Sequence, residues 1–368
     1  MAAGSLLRRA HRDDGGQRFG TAGEGVAASA GGGGGLTLGE GVIWEAGLRA
    51  LISGGTGFVG THLARFLVEQ GVEVFVFSRT APREPSASVT YFEADIRDLS
   101  ALRQICEATQ PDQIYHLAAV PSIADSWNDP RATFDINVAG THNLLDACMP
   151  LASRPRLLNV STAQVYGARG EAGLSEDCPL QPVSPYAATK AMAELLVYLY
   201  PPSQRERVVT ARPFNHSGPG QTADYVLSDF ARQIAEMEIG VRSPVLEVGD
   251  LEVERDFTDV RDVVRAYALL LHCGRGGQVY NVCSGATYRI STAVDVLQSL
   301  TSVRLAIQVA PDRARPGQPQ RICGDPSKIQ GDTGWRPTIS WEAMLRDLLQ
   351  HWRERVRQQA QSCSLTQS

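Results

Sequence analysis

The run Leu51-Ile52-Ser53-Gly54-Gly55-Thr56-Gly57-Phe58-Val59-Gly60 decides the fold of this chain. An aliphatic stretch, Ala50–Ser53, leads into it and an amphipathic stretch leaves it, so the glycines sit between a strand and a helix. In such a turn Gly54 takes a backbone angle that side chains resist, and Gly57 lets the main chain approach a pyrophosphate. Gly60 permits close packing of helix on strand. Free N–H groups and the helix dipole then hold the anion. Placed at the head of a strand–helix–strand unit, the triad predicts dinucleotide binding, with Gly54, Gly57, Phe58, Val59 and Gly60 as candidate contacts.

Outward from this loop, short β-branched or aliphatic runs alternate with amphipathic stretches. Strands are expected at Ala50–Ser53, Val72–Phe77, Thr90–Phe92, Gln113–Leu117, Leu157–Val160 and Val208–Ala211, and helices begin near Gly57, Leu99, Thr133 and Pro185. That alternation builds an α/β, Rossmann-like, doubly wound parallel sheet with helices on both faces. Strands without polar alternation fit a sheet buried on both sides.

After Asn215 the alternation loosens into a Gly/Pro loop (Ser217–Gly220), a helix at Ser228–Glu238 and short strands near Val245–Val248 and Val279–Val282. The expected division is a dinucleotide domain over 49–214 and a smaller C-terminal substrate domain over 215–358. About 255–285 includes a helix (Val260–Leu271) and a strand (Gln278–Val282) that return to the main sheet. Residues 1–48, rich in Gly and Ala, cannot bury enough surface to offset chain entropy and read as a disordered tail. Arg8, Arg9, Arg12 and Arg18 hint at a transit peptide, Asp13 and Asp14 argue against one, and a start codon chosen too far upstream explains the segment equally well. Residues 359–368 read as a second tail.

Composition narrows the function. With 35 Lys+Arg against 40 Asp+Glu the formal net charge is −5. The electrostatic footprint of a nucleic-acid binder is missing. No stretch approaches the ~18 apolar residues of a membrane span. Seven scattered cysteines, never spaced CxxC, favour reduced thiols in a cytoplasmic protein and give no metal site.

The second strand speaks to the choice of dinucleotide. NAD-selective proteins place Asp or Glu at its end to bond the ribose 2′-hydroxyl. Here it ends in Ser78-Arg79, and a guanidinium suits a 2′-phosphate. NADP(H) is therefore preferred, and NAD(H) remains possible. Farther on, Ser184-Pro185-Tyr186-Ala187-Ala188-Thr189-Lys190 puts Tyr and Lys four apart at a helix start, on one face. A free phenol has a pKa of about 10, and a nearby ammonium stabilises its anion, so Lys190 is expected to tune Tyr186.

With these two motifs in place, the chain resembles the extended short-chain dehydrogenase/reductase family, and within it the nucleotide-sugar epimerases, dehydratases and reductases. The resemblance spans about residues 49–355. It also rests on Val160-Ser161-Thr162-Ala163-Gln164-Val165-Tyr166-Gly167, Asp95-Ile96, His116-Leu117-Ala118-Ala119, Asn137 and Arg255-Asp256-Phe257-Thr258-Asp259. It implies that Thr162 joins Tyr186 and Lys190 as a catalytic trio, that Asp95 and Ile96 border the adenine, and that Leu117, Ala118 and Ala119 line the cofactor cleft. It further implies a homodimer through the helices near Thr133 and Pro185.

The same resemblance bears on the reaction. Dehydratases of this family carry acidic residues just after the catalytic Thr, where this chain has Ala163 and Gln164, and an amide cannot take a C5 proton. Epimerising reductases have Cys where Gln164 stands. Ala211-Arg212-Pro213-Phe214-Asn215-His216-Ser217-Gly218-Pro219-Gly220-Gln221 is similar to the corresponding segment of GDP-4-keto-6-deoxy-D-mannose reductases. Asn215 can bond a sugar-phosphate oxygen in two directions, and the following Gly/Pro loop lets the backbone pass close to a ligand. By resemblance Arg255 and Arg315 grip the diphosphate of a nucleotide sugar, with Arg313 as an alternative. The expected reaction is NADPH-dependent reduction of GDP-4-keto-6-deoxy-D-mannose to GDP-D-rhamnose. The alternatives are an NDP-sugar 4-epimerase with tightly bound NAD, or a GDP-mannose 4,6-dehydratase.

Overall fold

A computed structural model describes residues 45–82, 84–169, 173–310 and 319–365. The first half of the chain runs β1 (Arg49–Ser53), α1 (Phe58–Glu69), β2 (Glu73–Ser78), β3 (Val89–Glu93), α2 (Leu99–Thr109) and β4 (Gln113–His116). Next come α3 (Ile123–Asn128), α4 (Pro130–Phe134), a π-helical turn (Asp135–Ala139), α5 (Gly140–Cys148), β5 (Arg156–Val160), α6 (Pro185–Leu196), α7 (Pro202–Arg205) and β6 (Val208–Pro213). The second half runs β7 (Asn215–Ser217), α8 (Val226–Glu238), β8 (Val245–Val248), β9 (Glu254–Asp259), α9 (Val260–Cys273) and β10 (Val279–Val282). It closes with β11 (Thr287–Arg289), α10 (Ile290–Ser299), β12 (Ala306–Val309), β13 (Arg321–Ile322), α11 (Ser327–Thr333) and α12 (Trp341–Leu365).

Seven strands form one parallel sheet in the order β10-β6-β5-β4-β1-β2-β3, the arrangement of a Rossmann-like fold. The order reverses between β1 and β4, and a ligand crevice opens at the carboxyl ends of the strands at such a point. Alternate residues of each strand face opposite sides. Ala50, Ile52, Tyr115, Leu158 and Val209 pack under α1 and α9, whereas Leu51, Ile114, Leu157 and Val208 pack under α2 and α5. Both layers are apolar, which is why these strands show no polar alternation in the sequence.

A second core joins α8, β8, α10 and α12 through Phe230, Ile234, Leu246, Ala293, Leu345 and Trp352. Beside it β9 pairs with β7, β11 and β13, and β8 pairs with β12. No helix among the described residues is long and apolar enough to cross a membrane.

The structure corrects several expectations. The helix expected near Thr133 begins at Pro130 and is preceded by one short helix, Ile123–Asn128; Ser122 and Asp129 each cap a turn with their side chains. Ser217, expected to open the Gly/Pro loop, instead ends a short strand, Asn215–Ser217, that pairs with Phe257–Asp259. The tail expected at 359–368 is helical as far as Leu365: Trp341, Leu345, Leu348, Trp352 and Val356 form a buried helical stripe that starts α12. At the other end Leu48, expected in the tail, packs on the main core and its carbonyl accepts from Glu73 N at 2.9 Å. Residues 1–44 lie outside the described residues.

Candidate active site

A cleft of about 2110 Å³ opens along the carboxyl ends of β1, β4 and β5 and extends under α8 and β9. Small-molecule sites run to roughly 300–1,000 Å³, so this one has room for two nucleotides. The glycine loop forms one wall. Gly54 has φ +69°, and a Cβ there would stand 2.9 Å from the Ala118 backbone; at Gly60 it would stand 2.5 Å from the Gly54 carbonyl oxygen. Gly57 differs, since a Cβ would meet only that oxygen, at 3.3 Å. Two glycines thus serve the packing, and the third keeps open the cleft side where Phe58 and Val59 begin α1. That helix start has no capping side chain and no acidic residue in its first turn. The loop therefore fits the pyrophosphate of a dinucleotide.

At the end of β2, the Ser78 hydroxyl donates to Thr80 O at 2.5 Å and accepts from Thr56 Oγ1 at 3.1 Å. Arg79 beside it is exposed and lines the cleft. Asp95 is gripped in two places by Arg97, at 2.9 and 2.7 Å, and those hydrogen bonds hold its carboxyl below the usual range. Ile96 is buried against Gly140, where a Cβ would come within 2.7 Å of it.

Leu117, Ala118 and Ala119 form the cleft floor after β4. The Ser53 hydroxyl accepts from the N–H groups of Leu117 and Ala118, at 3.0 and 3.1 Å, and meets His116 Nδ1 at 2.8 Å. Thr141 Oγ1 donates to Asn137 O and so receives its bond from His116 Nε2, at 2.8 Å. These roles leave the ring with its proton on Nε2, neutral, and burial pushes its pKa down to about 3. Asn137 also accepts from Val120 N and donates to Thr189 Oγ1, tying the floor to α6.

Thr162, Tyr186 and Lys190 all line this cleft. Thr162 caps a 3-10 turn, with Gln164 N donating to Oγ1 at 3.2 Å, and its hydroxyl is hydrogen-bonded to Tyr186. Ser184 caps α6 and Pro185 opens it, so Tyr186 and Lys190 project from its first turns. Burial pushes the Tyr186 phenol up to about 12, against the Thr162 hydrogen bond, which works downward. Desolvation is the largest influence on the phenol in this structure. Burial also brings Lys190 down to about 8.

Sequence reasoning missed what anchors α6. Glu194, one turn beyond Lys190, is bound at both oxygens by Arg212 of β6, and Arg212 also donates to the Tyr166 hydroxyl. The signal was present: Glu194 continues the four-residue spacing of Tyr186 and Lys190, and Arg212 opens the Arg-Pro-Phe-Asn segment.

At the far end Asn215, half-buried on β7, and Arg255, buried on β9, line the cleft. Arg255 Nη1 donates to Glu254 O at 2.8 Å and Gln320 O at 3.3 Å, so backbone carbonyls hold part of its guanidinium. The Gly/Pro loop is fastened to α1, where His62 Nε2 donates to Pro219 O at 2.7 Å. Arg313 and Arg315 lie outside the described residues. Among those described, no group of three or more His, Cys, Asp or Glu side chains stands placed to hold a metal ion.

Comparison with known proteins adds to this geometry. A family model described as GDP-mannose 4,6 dehydratase matches residues 51–348. The chain is 37% identical over 314 residues to GDP-6-deoxy-D-mannose reductase of Pseudomonas aeruginosa, covering 84% of this chain and 99% of that protein. It is 27% identical over 346 residues to GDP-mannose 4,6-dehydratase of Vibrio cholerae, covering 82% and 92%. Among solved structures, RMD from Pseudomonas aeruginosa complexed with NADPH matches with TM-score 0.74 and 34% identity, over 84% of this chain and 99% of that one. UDP-glucose 4-epimerase with UDP-glucose from Thermotoga maritima matches with TM-score 0.76 and 25% identity, over 84% and 100%.

Proposed function

The chain belongs to the GDP-mannose 4,6-dehydratase family of extended short-chain dehydrogenases/reductases, and from that premise we propose that it reduces GDP-4-keto-6-deoxy-D-mannose to GDP-D-rhamnose with NADPH. The observation that carries the reading is the trio beside Gln164. Thr162, Tyr186 and Lys190 line one cleft, and the two residues following Thr162 are Ala163 and Gln164, neither of which is a carboxylate that could remove a C5 proton. The 37% identity to a GDP-6-deoxy-D-mannose reductase supports the same choice.

In this reading 49–214 holds the cofactor and 215–358 the nucleotide sugar. The glycine loop and the α1 N–H groups hold the pyrophosphate, Arg79 faces the 2′-phosphate, and Asp95, Ile96 and Leu117–Ala119 enclose the rings. Bound there, the reduced nicotinamide supplies a hydride for C4 of the sugar. As charge develops on the C4 oxygen, Tyr186 donates its proton, and a phenol that burial keeps protonated is suited to that task. Thr162 hydrogen-bonds the same oxygen, and the Lys190 ammonium stabilises the tyrosinate left behind. Asn215, Arg255 and Arg315 bind the GDP portion.

We read the assembly as a cytoplasmic homodimer. Trp127, Leu195, Tyr198 and Leu199 on and beside α3 and α6 are 59–70% exposed, a patch suited to self-association. Leu195→Glu would then yield a monomer by sedimentation. The reaction is tested by mixing protein, NADPH and GDP-4-keto-6-deoxy-D-mannose and following cofactor absorbance with product stereochemistry. One NADPH consumed per sugar reduced is expected; no oxidation of NADPH on this substrate would overturn the reductase, and inversion at C4 of an NDP-hexose with no net cofactor oxidation would establish a 4-epimerase instead.

A further inference from the structure

We propose that Glu194, held by Arg212, is a positioning residue that acts through Lys190, keeping the buried ammonium one turn away on α6 in its charged form. The proposal rests on the role given to Lys190 above. Lys190 and Glu194 lie one turn apart on the same buried face of α6, 4% and 6% exposed. An isolated ammonium in such a place sheds its proton unless an opposite charge stands near. Glu194 is the charged neighbour that works against the burial of Lys190.

Arg212 fixes where that charge sits. Its Nε reaches Glu194 Oε1 at 3.0 Å and its Nη2 reaches Oε2 at 2.7 Å. Arg212 is fixed in turn by the Tyr166 hydroxyl at 3.0 Å, and Tyr166 donates to Asn281 Oδ1 at 2.7 Å. The pair is thus a dipole with its negative end on α6, on the same helix as Lys190, and its positive end on β6.

The other titratable and charged groups around α6 differ in kind. His116 of β4 is neutral, and Tyr166, Tyr186, Tyr225 just before α8 and Tyr267 of α9 are phenols held in their neutral form by burial. On the neighbouring helical segments Asp125 and Arg131 are exposed and Asp135 is half-buried.

The chain has two lysines, Lys190 and Lys328, so lysine labelled with carbon-13 gives two side-chain titrations by NMR. Lys328, bonded to Gln278 at 3.0 Å on α11, serves as the internal reference. Without ligand, Glu194→Gln is expected to lower the Lys190 midpoint by about one unit, about tenfold in its acid constant. Arg212→Gln, which removes the positive end, is expected to raise it, and Lys328 stays fixed in both. Glu194→Asp, which keeps the charge, tests the same point should Glu194→Gln fail to fold, and is expected to retain most of the wild-type midpoint. Unchanged midpoints in the variants, or Glu194→Gln and Arg212→Gln moving Lys190 in the same direction, would overturn the proposal. The titration uses no substrate. A failed reduction assay with these shifts present would overturn the reaction, and absent shifts in an active reductase would overturn this inference alone.

Discussion

Ser53 and His116 meet at 2.8 Å across neighbouring strands β1 and β4, where the strand order of the sheet reverses. One hydroxyl thereby organises the backbone of the cleft floor and fixes a neutral imidazole beneath it. Because burial pushes His116 down to about 3 from an ordinary value of 6.5, the unfolded chain takes up a proton that the native protein refuses. The stability from this residue is complete above pH 6.5 and is lost as pH falls through the interval below, about 2 kcal/mol by pH 5. His116→Asn, which does not titrate, is expected to shrink the loss of stability between pH 8 and pH 5 by about that amount, measured by urea unfolding. Equal losses in the two proteins would contradict this account of the ring.

The glycines of the loop separate by role. Gly60→Ala pushes a methyl against main-chain atoms at 2.5 Å and is expected to cost about 1–3 kcal/mol of stability. Gly57→Ala, with φ −77° and a nearest contact of 3.3 Å, leaves the fold intact and is expected to weaken NADPH binding by about tenfold. Thermal melting and a fluorescence titration of the cofactor measure the two effects. The account fails if Gly57→Ala binds as tightly as the native chain.

The loop and the sheet were legible because each depends on local signals: glycines at fixed offsets after an apolar run, and strands buried on both faces. Tyr186 and Lys190 were legible from their spacing and the proline before them. Their electrostatics were not, since the upward shift of the phenol comes from side chains distant in sequence that exclude water. Glu194 and Arg212 stayed unread for the same reason, being 18 residues apart and meeting through the pairing of a helix with a strand. Helix α12 lies beyond the recognised motifs, and its stripe gains meaning once α8 supplies the facing surface.

Arg79 is exposed at the end of β2, and in the proposed function it carries the preference for the phosphorylated dinucleotide. A hydrogen bond to a charged group contributes about 1.5–3 kcal/mol, so Arg79→Ala is expected to raise the Kd for NADPH by roughly ten- to a hundredfold and leave that for NADH unchanged. Calorimetric titration of both cofactors decides it; parallel losses would remove Arg79 from that role.

In the proposed mechanism Lys190 sets the alkaline limit of the reaction. Reduction needs its ammonium, which burial brings down to about 8, so kcat is expected to hold steady below that pH and decline above it as the proton is lost. Tyr186→Phe removes the donor itself and is expected to lower kcat by roughly 10²–10⁴ with the fold retained. A pH–rate profile of the native chain, set beside the variant at neutral pH, measures both, and full turnover by Tyr186→Phe would be incompatible with the proposed chemistry.

The most direct test of the reduction follows the hydride itself. With NADPH deuterated at the transferring position of its nicotinamide and GDP-4-keto-6-deoxy-D-mannose as substrate, the account predicts one deuterium at C4 of the product for each cofactor oxidised. Product formed without deuterium at C4, or turnover that leaves the cofactor reduced, would contradict it.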